Sequence, residues 1–389
     1  MKITALKTFL VNPSGHRAGM IGGKNWLFIK LETDEGLVGW GECYTQLDRD
    51  RTIEQHAHDL GRYLVGRDPF AIKHFCQMVY DDFAGRRGAM DLYCALSGIE
   101  QAMWDIAGKA VGQPVYNLLG GPCRNALRVY ANGWYGGAKT PEEHAERALA
   151  MVERGFTALK FDPFPGLWRL YVDKEVERAA EANVRAVREA VGPDVDILVE
   201  VHRRLSPMNA VRVAHMLEPY KPFWYEEPVP AENVPALAEV RGQIDIPVVT
   251  GEALYTKRDF REVLELRAAD ILNPDVCNCG GILELREIAA MAEPYYVAMS
   301  PHNYNSTTMG LAATIHAAAG MPNFLITEYF VNFEQTGREI VAEPWEVVDG
   351  YLPLPTAPGL GMELVEEELL RRPYEQAAPR ALPRFFEER

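Results

Sequence analysis

The chain has 389 residues, enough for two domains, and an ordinary globular composition of 48% hydrophobic and 24% charged residues. It carries 40 basic and 55 acidic residues, a net charge of −15. This charge argues against a nucleic-acid groove or an anionic membrane surface as a partner, because both need clustered lysine and arginine. An anionic substrate stays compatible with it, since a bound cation or a local arginine can reverse the field inside one cleft.

Cysteine spacing and hydropathy bear on where the protein is found. The six cysteines are scattered and form no CxxC pair, and the N-terminal sequence has neither the apolar run nor the cleavage site of a secretory signal. No uninterrupted apolar stretch reaches the roughly 18 residues that a membrane-spanning helix needs. We therefore expect a cytoplasmic protein with free thiols.

Residues 1–125 are predicted to form a mixed α+β domain. Two short strands, Leu27 to Thr33 and Leu37 to Cys43, flank an Asp-Glu-Gly turn sequence and predict a hairpin. Apolar residues at helical intervals predict a helix from Tyr93 to Val111. The glycine-rich stretch from Met20 to Asn25 is compatible with a mobile loop or with a plain connection between strands.

From about Leu127 the pattern changes to apolar runs that alternate with helical sequence. Eight runs follow one another: LRVYAN, TALKFD, DILVEVH, FWYEEP, IPVVTGE, DILNPD, YVAMSPH and FLITEYF. Such alternation predicts parallel strands with right-handed crossovers, and eight units predict a closed (β/α)8 barrel over residues 126–350. No GxGxxG motif follows a first strand, which disfavours a dinucleotide site. Residues 351–389 are rich in turn residues, and we expect them to pack back on the first domain.

Polar residues close six of the eight runs at nearly equal intervals. They are Glu200, Glu226, Glu252, Asp275, His302 and Glu328, separated by 26, 26, 23, 27 and 26 residues. In a closed barrel the carboxyl ends of the strands form a ring, and the active sites of barrel enzymes lie there. One such carboxylate could simply begin a solvated loop. Six polar residues in phase predict a functional site at the mouth of the barrel.

The first three of these residues predict a metal site. Glu200, Glu226 and Glu252 end consecutive strands, and converging carboxylates take up protons unless a counter-charge is present. Mg²⁺ prefers carboxylate oxygens and keeps positions open for substrate, whereas zinc is disfavoured because no His/Cys quartet is found. The alternative is a protonated carboxyl network without a metal.

Two histidines are candidates for proton transfer. His302 lies one strand beyond Asp275, and a carboxylate beside an imidazole fixes its tautomer and raises its pKa, as a catalytic base requires. His202 follows Glu200 by two residues and brings a second imidazole to the mouth.

Three further polar residues could contact a substrate. Lys160 and Asp162 end the second run, where the lysine could contact a substrate carboxylate, a metal ligand or a neighbouring acid in a plain salt bridge. His16 lies beside the glycine-rich stretch and could reach a substrate from the first domain.

Specific motifs are spread over nearly the whole chain. They are MWDIAGKAVGQPVYNLLGG (103–121), WYEEPV (224–229), Gly251-Glu252, NPD (273–275), Gly280-Gly281, SPH (300–302) and PGLGMEL (358–364). In these motifs the chain resembles the mandelate racemase and muconate lactonizing enzyme branch of the enolase superfamily. The resemblance implies an N-terminal α+β capping domain over a modified (β/α)7β TIM-type barrel, and a homo-oligomer, either a dimer or an octamer. It also implies Mg²⁺ on the three glutamates, a His302–Asp275 dyad and Glu328 near the substrate carboxylate.

Two positions separate the subgroups of this family. Racemases and cycloisomerases carry Lys-x-Lys on the second strand, and Asp162 stands in place of the second lysine here, which disfavours a two-base racemase. Members that dehydrate sugar acids such as galactonate and gluconate carry a histidine two residues after the third-strand ligand, as His202 does. Glu200 departs from the aspartate that is usual at that ligand position.

The resemblance therefore implies a Mg²⁺-dependent acid-sugar dehydratase that converts an aldonate to a 2-keto-3-deoxy sugar acid. In the implied reaction His302 takes the α-proton, His202 protonates the leaving β-hydroxyl, and Glu328, protonated or paired, donates to the enediolate oxygen. Two alternatives stay open: an epimerase, racemase or cycloisomerase that uses the same enediolate, and a catalytically silent sugar-acid binding protein.

Substrate specificity is expected to come from the capping domain. The segments concerned are Ser14 to Asn25 and Tyr44 to Arg51. From the barrel side, Pro163 to Trp168 and the Trp134-Tyr135 pair either line the pocket or serve packing.

Overall fold

The computed structural model describes residues 1–13, 24–166, 170–304 and 306–377. Four predictions fall wholly or partly on other residues: His16 as a substrate contact, the glycine-rich stretch from Met20 to Asn25, most of the specificity segment from Ser14 to Asn25, and part of the aromatic segment from Pro163 to Trp168. These lie outside the described residues, as do residues 378–389.

The N-terminal part is a three-stranded antiparallel sheet covered by helices. In the order β1-β2-β3, its strands are β1 (Ile3–Val11), β2 (Trp26–Thr33) and β3 (Val38–Cys43). Its helices are α1 (Asp50–Leu64), α2 (Ile72–Asp82), α3 (Met90–Ala110) and α4 (Val115–Leu118), with a 3-10 turn at Ala84–Arg86. The predicted hairpin is confirmed, since β2 and β3 pair across a turn in which Gly36 has a φ of +81°. The predicted helix is confirmed as α3.

Two glycines of β3 allow α3 to pack directly on the sheet. A Cβ at Gly39 would clash with the carbonyl oxygen of Ala102, and one at Gly41 would clash with that of Gly98. Residues with side chains would force the helix away, so the two glycines fix α3 against β3. Helix α3 also supplies polar side chains to the junction with the barrel, as described below.

The second part is a ring of eight parallel strands. They are β4 (Ala126–Asn132), β5 (Ala158–Phe161), β6 (Asp196–Glu200), β7 (Trp224–Glu226), β8 (Val248–Thr250), β9 (Ile271–Leu272), β10 (Ala298–Met299) and β11 (Thr327–Phe330). They follow one another in chain order, and β11 pairs with β4. A parallel bridge between Met299 and Phe324 links β10 to the residues before β11 and closes the ring.

Within the residues that the structure describes, seven helices separate these eight strands. They are α5 (Pro141–Glu153), α6 (Lys174–Val191), α7 (Pro207–Leu217), α8 (Val234–Arg241), α9 (Thr256–Glu265), α10 (Ile282–Ala292) and α11 (Met309–Ala319). Strand β11 is followed by a 3-10 turn and the short α12 (Glu334–Ile340). Helix α12 contacts the C-terminal helix of residues 366–370 and does not separate two barrel strands, so the barrel is the (β/α)7β type implied by the family resemblance and differs from the (β/α)8 barrel predicted from the alternating runs in its last unit.

The barrel interior changes from apolar to polar over two residues. A lower layer of buried apolar side chains fills the ring nearer the amino ends of the strands and includes Tyr130, Ala158, Leu198, Trp224 and Ile326. Two residues further along the same strands lies an upper layer of buried polar side chains, Asn132, Lys160, Glu200, Glu226 and Glu328. Because strand side chains alternate between faces, both layers point inward.

The described C-terminal residues contact both parts of the molecule. Strand β12 (Tyr351–Pro353) pairs antiparallel with β4 of the barrel, and α13 (Glu366–Leu370) follows it. Glu366 forms an ion pair of 2.6 Å with Lys30 on β2, and Pro373 bridges to Val11 on β1. The domain boundaries given above stay predictions.

None of the helices in the described ranges has the length and apolar character that a bilayer crossing would require.

Candidate active site at the mouth of the barrel

Three glutamates from neighbouring strands lie together at the mouth of the barrel. Glu200 ends β6, Glu226 ends β7 and Glu252 follows β8. Each offers one carboxylate oxygen, and these oxygens lie within 4.8 Å of one another. We call these three residues the glutamate cluster. Hard divalent cations bind to groups of carboxylate oxygens such as this one.

The ammonium of Lys160 lies between the glutamate cluster and Glu328. Its Nζ is 2.8 Å from Glu226 Oε1, 3.3 Å from Glu200 Oε2 and 3.2 Å from Glu328 Oε1. Burial lowers the pKa of Lys160, but the three carboxylates raise it by more, so the pKa is well above its usual value and the ammonium stays charged. Of the contacts predicted for this lysine, the structure shows those to the candidate metal ligands and an ion pair with a neighbouring acid, Glu328.

Glu226 is the most enclosed member of the glutamate cluster. Its Oε1 accepts a hydrogen bond of 2.8 Å from Asn273 Nδ2, and its Oε2 accepts one of 3.0 Å from Trp224 Nε1. Burial and the neighbouring Glu200 carboxylate raise the pKa of Glu226 well above its usual value. This is the expected response of crowded carboxylates that lack a full counter-charge.

Glu252 forms an ion pair with Arg203. The Arg203 guanidinium contacts Glu252 Oε1 and lies 3.2 Å from Glu227 Oε2. Burial raises the pKa of Glu252, but Arg203 and His302 lower it by more, so the net pKa is well below its usual value. Glu252 is therefore held as a carboxylate at neutral pH.

His302 and Asp275, which follow β10 and β9, form a buried pair next to the glutamate cluster. His302 Nδ1 lies 2.7 Å from Asp275 Oδ2, and its Nε2 lies 3.0 Å from Glu252 Oε2 and 3.5 Å from Glu328 Oε2. Asp275 thus fixes Nδ1 as the protonated nitrogen, and Nε2 faces the glutamate cluster. Burial lowers the pKa of His302, but the surrounding carboxylates raise it by more, to well above its usual value.

Glu328 is held as an ionised carboxylate. Its Oε1 accepts a hydrogen bond of 2.6 Å from Asn132 Nδ2, and its Oε2 accepts one of 2.9 Å from the backbone N–H of Asn303. Burial raises the pKa of Glu328, but Lys160 and His302 lower it by more, so the net pKa lies below its usual value. Of the two forms considered for Glu328, protonated or paired, the surroundings favour the paired one.

His202 forms a second imidazole–carboxylate pair. Its Nδ1 lies 2.9 Å from Asp162 Oδ2, which Arg204 also contacts. Burial lowers the pKa of His202, but Glu200 and Asp162 raise it by more, which favours the imidazolium. His202 follows β6 and His302 follows β10, four strands apart in a ring of eight. The two histidines therefore approach the mouth from opposite sides.

An unusual turn carries His202. Both His202 and Arg203 have left-handed backbones, with φ of 55° and 60°. The backbone N–H of His202 donates to Glu200 Oε1 at 2.9 Å, and that of Arg203 donates to the carbonyl oxygen of Glu227 at 2.7 Å. These bonds hold two non-glycine residues in a strained conformation next to the glutamate cluster, where such strain is often functional.

A cavity of about 360 Å³ lies between the barrel and the N-terminal part. Both histidines, Lys160, Glu200 and Glu252 line it from the barrel. Lys24 and residues 44–47 line it from the other side. A volume of this size suits a small-molecule ligand.

The N-terminal part holds the two loops that carry the His302–Asp275 pair. Gln101 on α3 donates to the carbonyl oxygen of Val276 at 3.2 Å, directly after Asp275. Glu42 on β3 accepts a hydrogen bond of 2.7 Å from Ser306 Oγ, a few residues after His302. The placement of the pair thus depends on the whole fold.

Two acidic side chains of the N-terminal part cap barrel helices. Glu100 on α3 accepts hydrogen bonds from the backbone N–H groups of Ile282, at 2.7 Å, and Leu283, at 2.9 Å, in the first turn of α10. Glu42 accepts one of 2.8 Å from the N–H of Gly310, in the first turn of α11. Neither helix has a side-chain cap from its own N-cap residue.

The structure brings together all the predicted site residues that it describes. They are Glu200, Glu226, Glu252, Asp275, His302, Glu328, His202, Lys160 and Asp162. Their roles stay predictions. Sequence reasoning missed Arg203, Glu227 and Asn132, and the only available signal was that Glu227 repeats the acidic residue of the WYEEPV motif.

Comparison with known proteins identifies the family. The mandelate racemase / muconate lactonizing enzyme N-terminal domain family matches residues 4–120, and the enolase C-terminal domain-like family matches residues 143–368. The chain belongs to the mandelate racemase and muconate lactonizing enzyme family. In this chain an N-terminal capping domain covers the mouth of a (β/α)7β barrel.

Several relatives within this family are dehydratases. A D-galactonate dehydratase from Pectobacterium atrosepticum is 36% identical over 379 residues, 96% of this chain and 94% of the relative. A D-gluconate dehydratase from Thermoproteus tenax is 35% identical over 345 residues, 88% of this chain and 69% of the relative. The solved structure of a family member from Sulfitobacter matches with a TM-score of 0.90 and 35% identity over 96% of each chain.

Proposed function

We propose that this protein is a Mg²⁺-dependent acid-sugar dehydratase that converts an aldonate, such as galactonate or gluconate, to the corresponding 2-keto-3-deoxy sugar acid. The observation that carries the proposal is the pair of imidazole–carboxylate dyads on opposite sides of the glutamate cluster. Two proton-transfer groups, one to remove a proton and one to protonate a leaving group, are what a β-elimination requires. The dehydratase relatives support the same reaction class.

The glutamate cluster fits a magnesium ion. Its oxygens lie close together, and Glu200 Oε2 is buried without a hydrogen bond among the described residues, although Lys160 lies 3.3 Å away. The raised pKa of Glu226 also indicates a deficit of positive charge. Mg²⁺ held by Glu200, Glu226 and Glu252 would offset the second negative charge that develops on the substrate carboxylate when the α-proton leaves. Glu200 takes this role in place of the aspartate usual in the family.

The first proton transfer falls to His302. Asp275 holds the proton on Nδ1, and Mg²⁺ on the glutamate cluster would offset the carboxylates that raise the pKa of His302, which would leave Nε2 free to accept the proton from C2 of the sugar acid. The C2–H electron pair moves into the new enediolate. Lys160 is already charged and next to Glu328, so it can donate to an enediolate oxygen, with Glu328 and Asn132 fixing its surroundings.

The second transfer falls to His202. The His202 imidazolium, stabilised by Asp162 and Glu200, gives its proton to the hydroxyl on C3. The C3–O bond then breaks, water leaves, and the enediolate electrons form the C2–C3 double bond. The resulting enol takes up a proton at C3 and becomes the 2-keto-3-deoxy acid, so the net change is the loss of one water.

A substrate screen tests this function. Purified protein with Mg²⁺ is incubated with a library of aldonic and aldaric acids, and the 2-keto-3-deoxy product is detected by semicarbazide absorbance. We expect turnover of at least one acid and its loss in EDTA. Product formation that is unaffected by EDTA would overturn the role of Mg²⁺.

The same screen distinguishes the two alternatives. Exchange of the α-proton with solvent deuterium in every acid, without loss of water, would replace dehydration by epimerisation or cycloisomerisation. Tight binding without turnover or exchange would indicate a sugar-acid binding protein.

A further inference from the structure

Lys24 is a buried lysine at the cavity that the reaction above does not use. Its side chain is 7% exposed. Its ammonium lies 3.8 Å from the centroid of the Tyr44 ring and 4.7 Å from that of the Tyr304 ring. In the part of the chain that the structure describes, no carboxylate forms an ion pair with it, and no hydrogen bond from it is found.

The position of Lys24 is fixed by its neighbours. Asn25 donates a hydrogen bond of 2.8 Å to Asp50 and one of 3.0 Å to the carbonyl oxygen of Glu375, and Thr45 donates to the carbonyl oxygen of Asn25. Asn25, the residue after Lys24, is therefore held through both its side chain and its backbone carbonyl oxygen. A lysine anchored in this way differs from a surface lysine, whose ammonium is free to stay in water.

The same two aromatic rings connect Lys24 to the reacting groups. The ring centroids of Tyr44 and Tyr304 lie 6.3 and 6.2 Å from that of His302. Lys24, Tyr44, Tyr304 and His302 all line the one cavity. The ammonium is thus on the capping-domain side of the space in which the sugar acid would lie.

Lys24 differs from the other cations around this cavity. Lys160 is paired with three glutamates, Arg203 with Glu252 and Glu227, and Arg204 with Asp162. The aromatic faces attract the charge of Lys24 but offer no lone pair to its three N–H donors. A buried donor without an acceptor is unfavourable, and an oxygen of a ligand in the cavity would satisfy it.

The proposed reaction limits which oxygen this can be. The substrate carboxylate faces the glutamate cluster, C2 faces His302 and C3 faces His202. The remaining carbons, C4 to C6, must then extend toward the capping domain. We propose that Lys24 binds an oxygen at the end of the sugar acid remote from the reacting carboxylate, and so selects acids that carry a hydroxyl or a carboxylate at C6.

This inference rests on the proposed function and is tested with three acids that differ only at C6. Two series are used, one with the C2 to C5 configuration of D-galactonate and one with that of D-gluconate. In each series C6 is a methyl, a hydroxymethyl or a carboxylate group. We expect wild-type kcat/KM for the methyl compound to be about 10- to 100-fold below that for the better of the other two, since a hydrogen bond to a charged donor is lost. The order of the other two identifies the acceptor as a hydroxyl or a carboxylate.

The variants are K24M and, as a matched control, K30M. Lys30 is on the same stretch of chain but pairs with Glu32 and Glu366 outside the cavity. We expect K24M to lose the discrimination against the methyl compound and K30M to keep it. Equal kcat/KM of the wild type for all three acids, or an equal loss for all three in K24M, would overturn the proposal. If K24M does not fold, the wild-type order alone decides.

Binding measured by titration calorimetry tests the Lys24 contact independently of whether the protein is a dehydratase. If no acid is turned over, the three acids are titrated in the presence of Mg²⁺ into wild-type protein and into K24M. Weaker binding of the methyl compound to the wild type, with no such difference in K24M, supports the Lys24 contact even though dehydration fails. Equal affinities in the wild type overturn it.

Discussion

The lower and upper layers of the barrel interior belong to the same strands and differ completely in chemistry. Leu198 and Trp224 are in the lower layer, and Glu200 and Glu226 stand two residues further along. The lower layer is a close-packed apolar core, whereas the upper layer confines carboxylates beside a single ammonium. The free energy gained by burying the apolar lower layer offsets the unfavourable free energy of crowding carboxylates in the upper layer, which folding alone would disfavour.

Substitution of His302 should give the largest effect on activity and little effect on the fold. In H302N the base is lost, so we expect kcat to fall by on the order of 10³- to 10⁴-fold. The asparagine can still donate to Asp275, so the unfolding midpoint in urea should stay close to that of the wild type. The control is H215N, on the exposed side of α7. A kcat in H302N near the wild-type value would contradict the assignment of the base.

Substitution of His202 separates the two proton transfers. H202N should lose dehydration by on the order of 10²- to 10⁴-fold, because the C3 hydroxyl then leaves without its acid. Exchange of the C2 proton with solvent deuterium, followed by NMR, should continue slowly, since His302 is intact. Dehydration at a near wild-type rate would show that another group is the acid.

A substitution in the lower layer should lower stability and leave activity nearly unchanged. Leu198 is completely buried, and L198A should lower the free energy of unfolding by about 2–5 kcal/mol through lost apolar contact and a cavity. At temperatures where the variant stays folded, kcat should change little. The matched control is L149A, whose leucine is partly exposed on α5. An equal loss in both variants would contradict the importance of the lower layer for stability.

Magnesium should stabilise the upper layer measurably. We expect saturating Mg²⁺ to raise the free energy of unfolding by about 2–3 kcal/mol at 100 times its Kd, because only the folded chain assembles the glutamate cluster. E226Q should remove most of this increase, and E343Q, which changes an exposed glutamate, should leave it intact. Thermal unfolding with Mg²⁺ and with EDTA measures both. An unchanged increase in E226Q would exclude Glu226 as a ligand.

His316 tests whether a buried titratable group outside both layers sets the stability at acidic pH. Its Nδ1 accepts a hydrogen bond of 3.2 Å from the backbone N–H of Tyr116, and burial lowers its pKa to about 4 from an ordinary value of 6.5. Between these values the unfolded chain binds the proton and the folded chain does not. The free energy of unfolding should therefore fall as the pH is lowered from 6.5 toward 4. Denaturant titrations should show a shallower fall in H316N; an identical slope would contradict this origin.

The period of the sequence allowed the glutamates of the upper layer to be predicted. Glu226 lies one βα unit after Glu200 and Glu328 lies four units after Glu226, and the (β/α)7β fold that places them together is confirmed. Such a regular pattern is readable because strand alternation and barrel closure are set by the chain itself.

Contacts made by the docked domains were not predictable in the same way. The ammonium of Lys24 reaches Tyr304 only because the capping domain lies on the barrel, and no pattern along the chain reports that distance. The contact between Arg203 and Glu252 depends on left-handed backbone at two residues that are not glycine, which sequence propensity disfavours.

The capping of α10 and α11 by Glu100 and Glu42 has a consequence for the order in which the parts of the protein fold during synthesis. A ribosome releases the chain from its N-terminus, so both carboxylates emerge long before the helices whose first turns they complete. The N-terminal sheet and α3 can form while the barrel is still being synthesised. They then present a folded surface on which the last third of the barrel is assembled. In a nascent chain that lacked them, the backbone N–H groups in the first turn of α10 would have no acceptor when that helix forms.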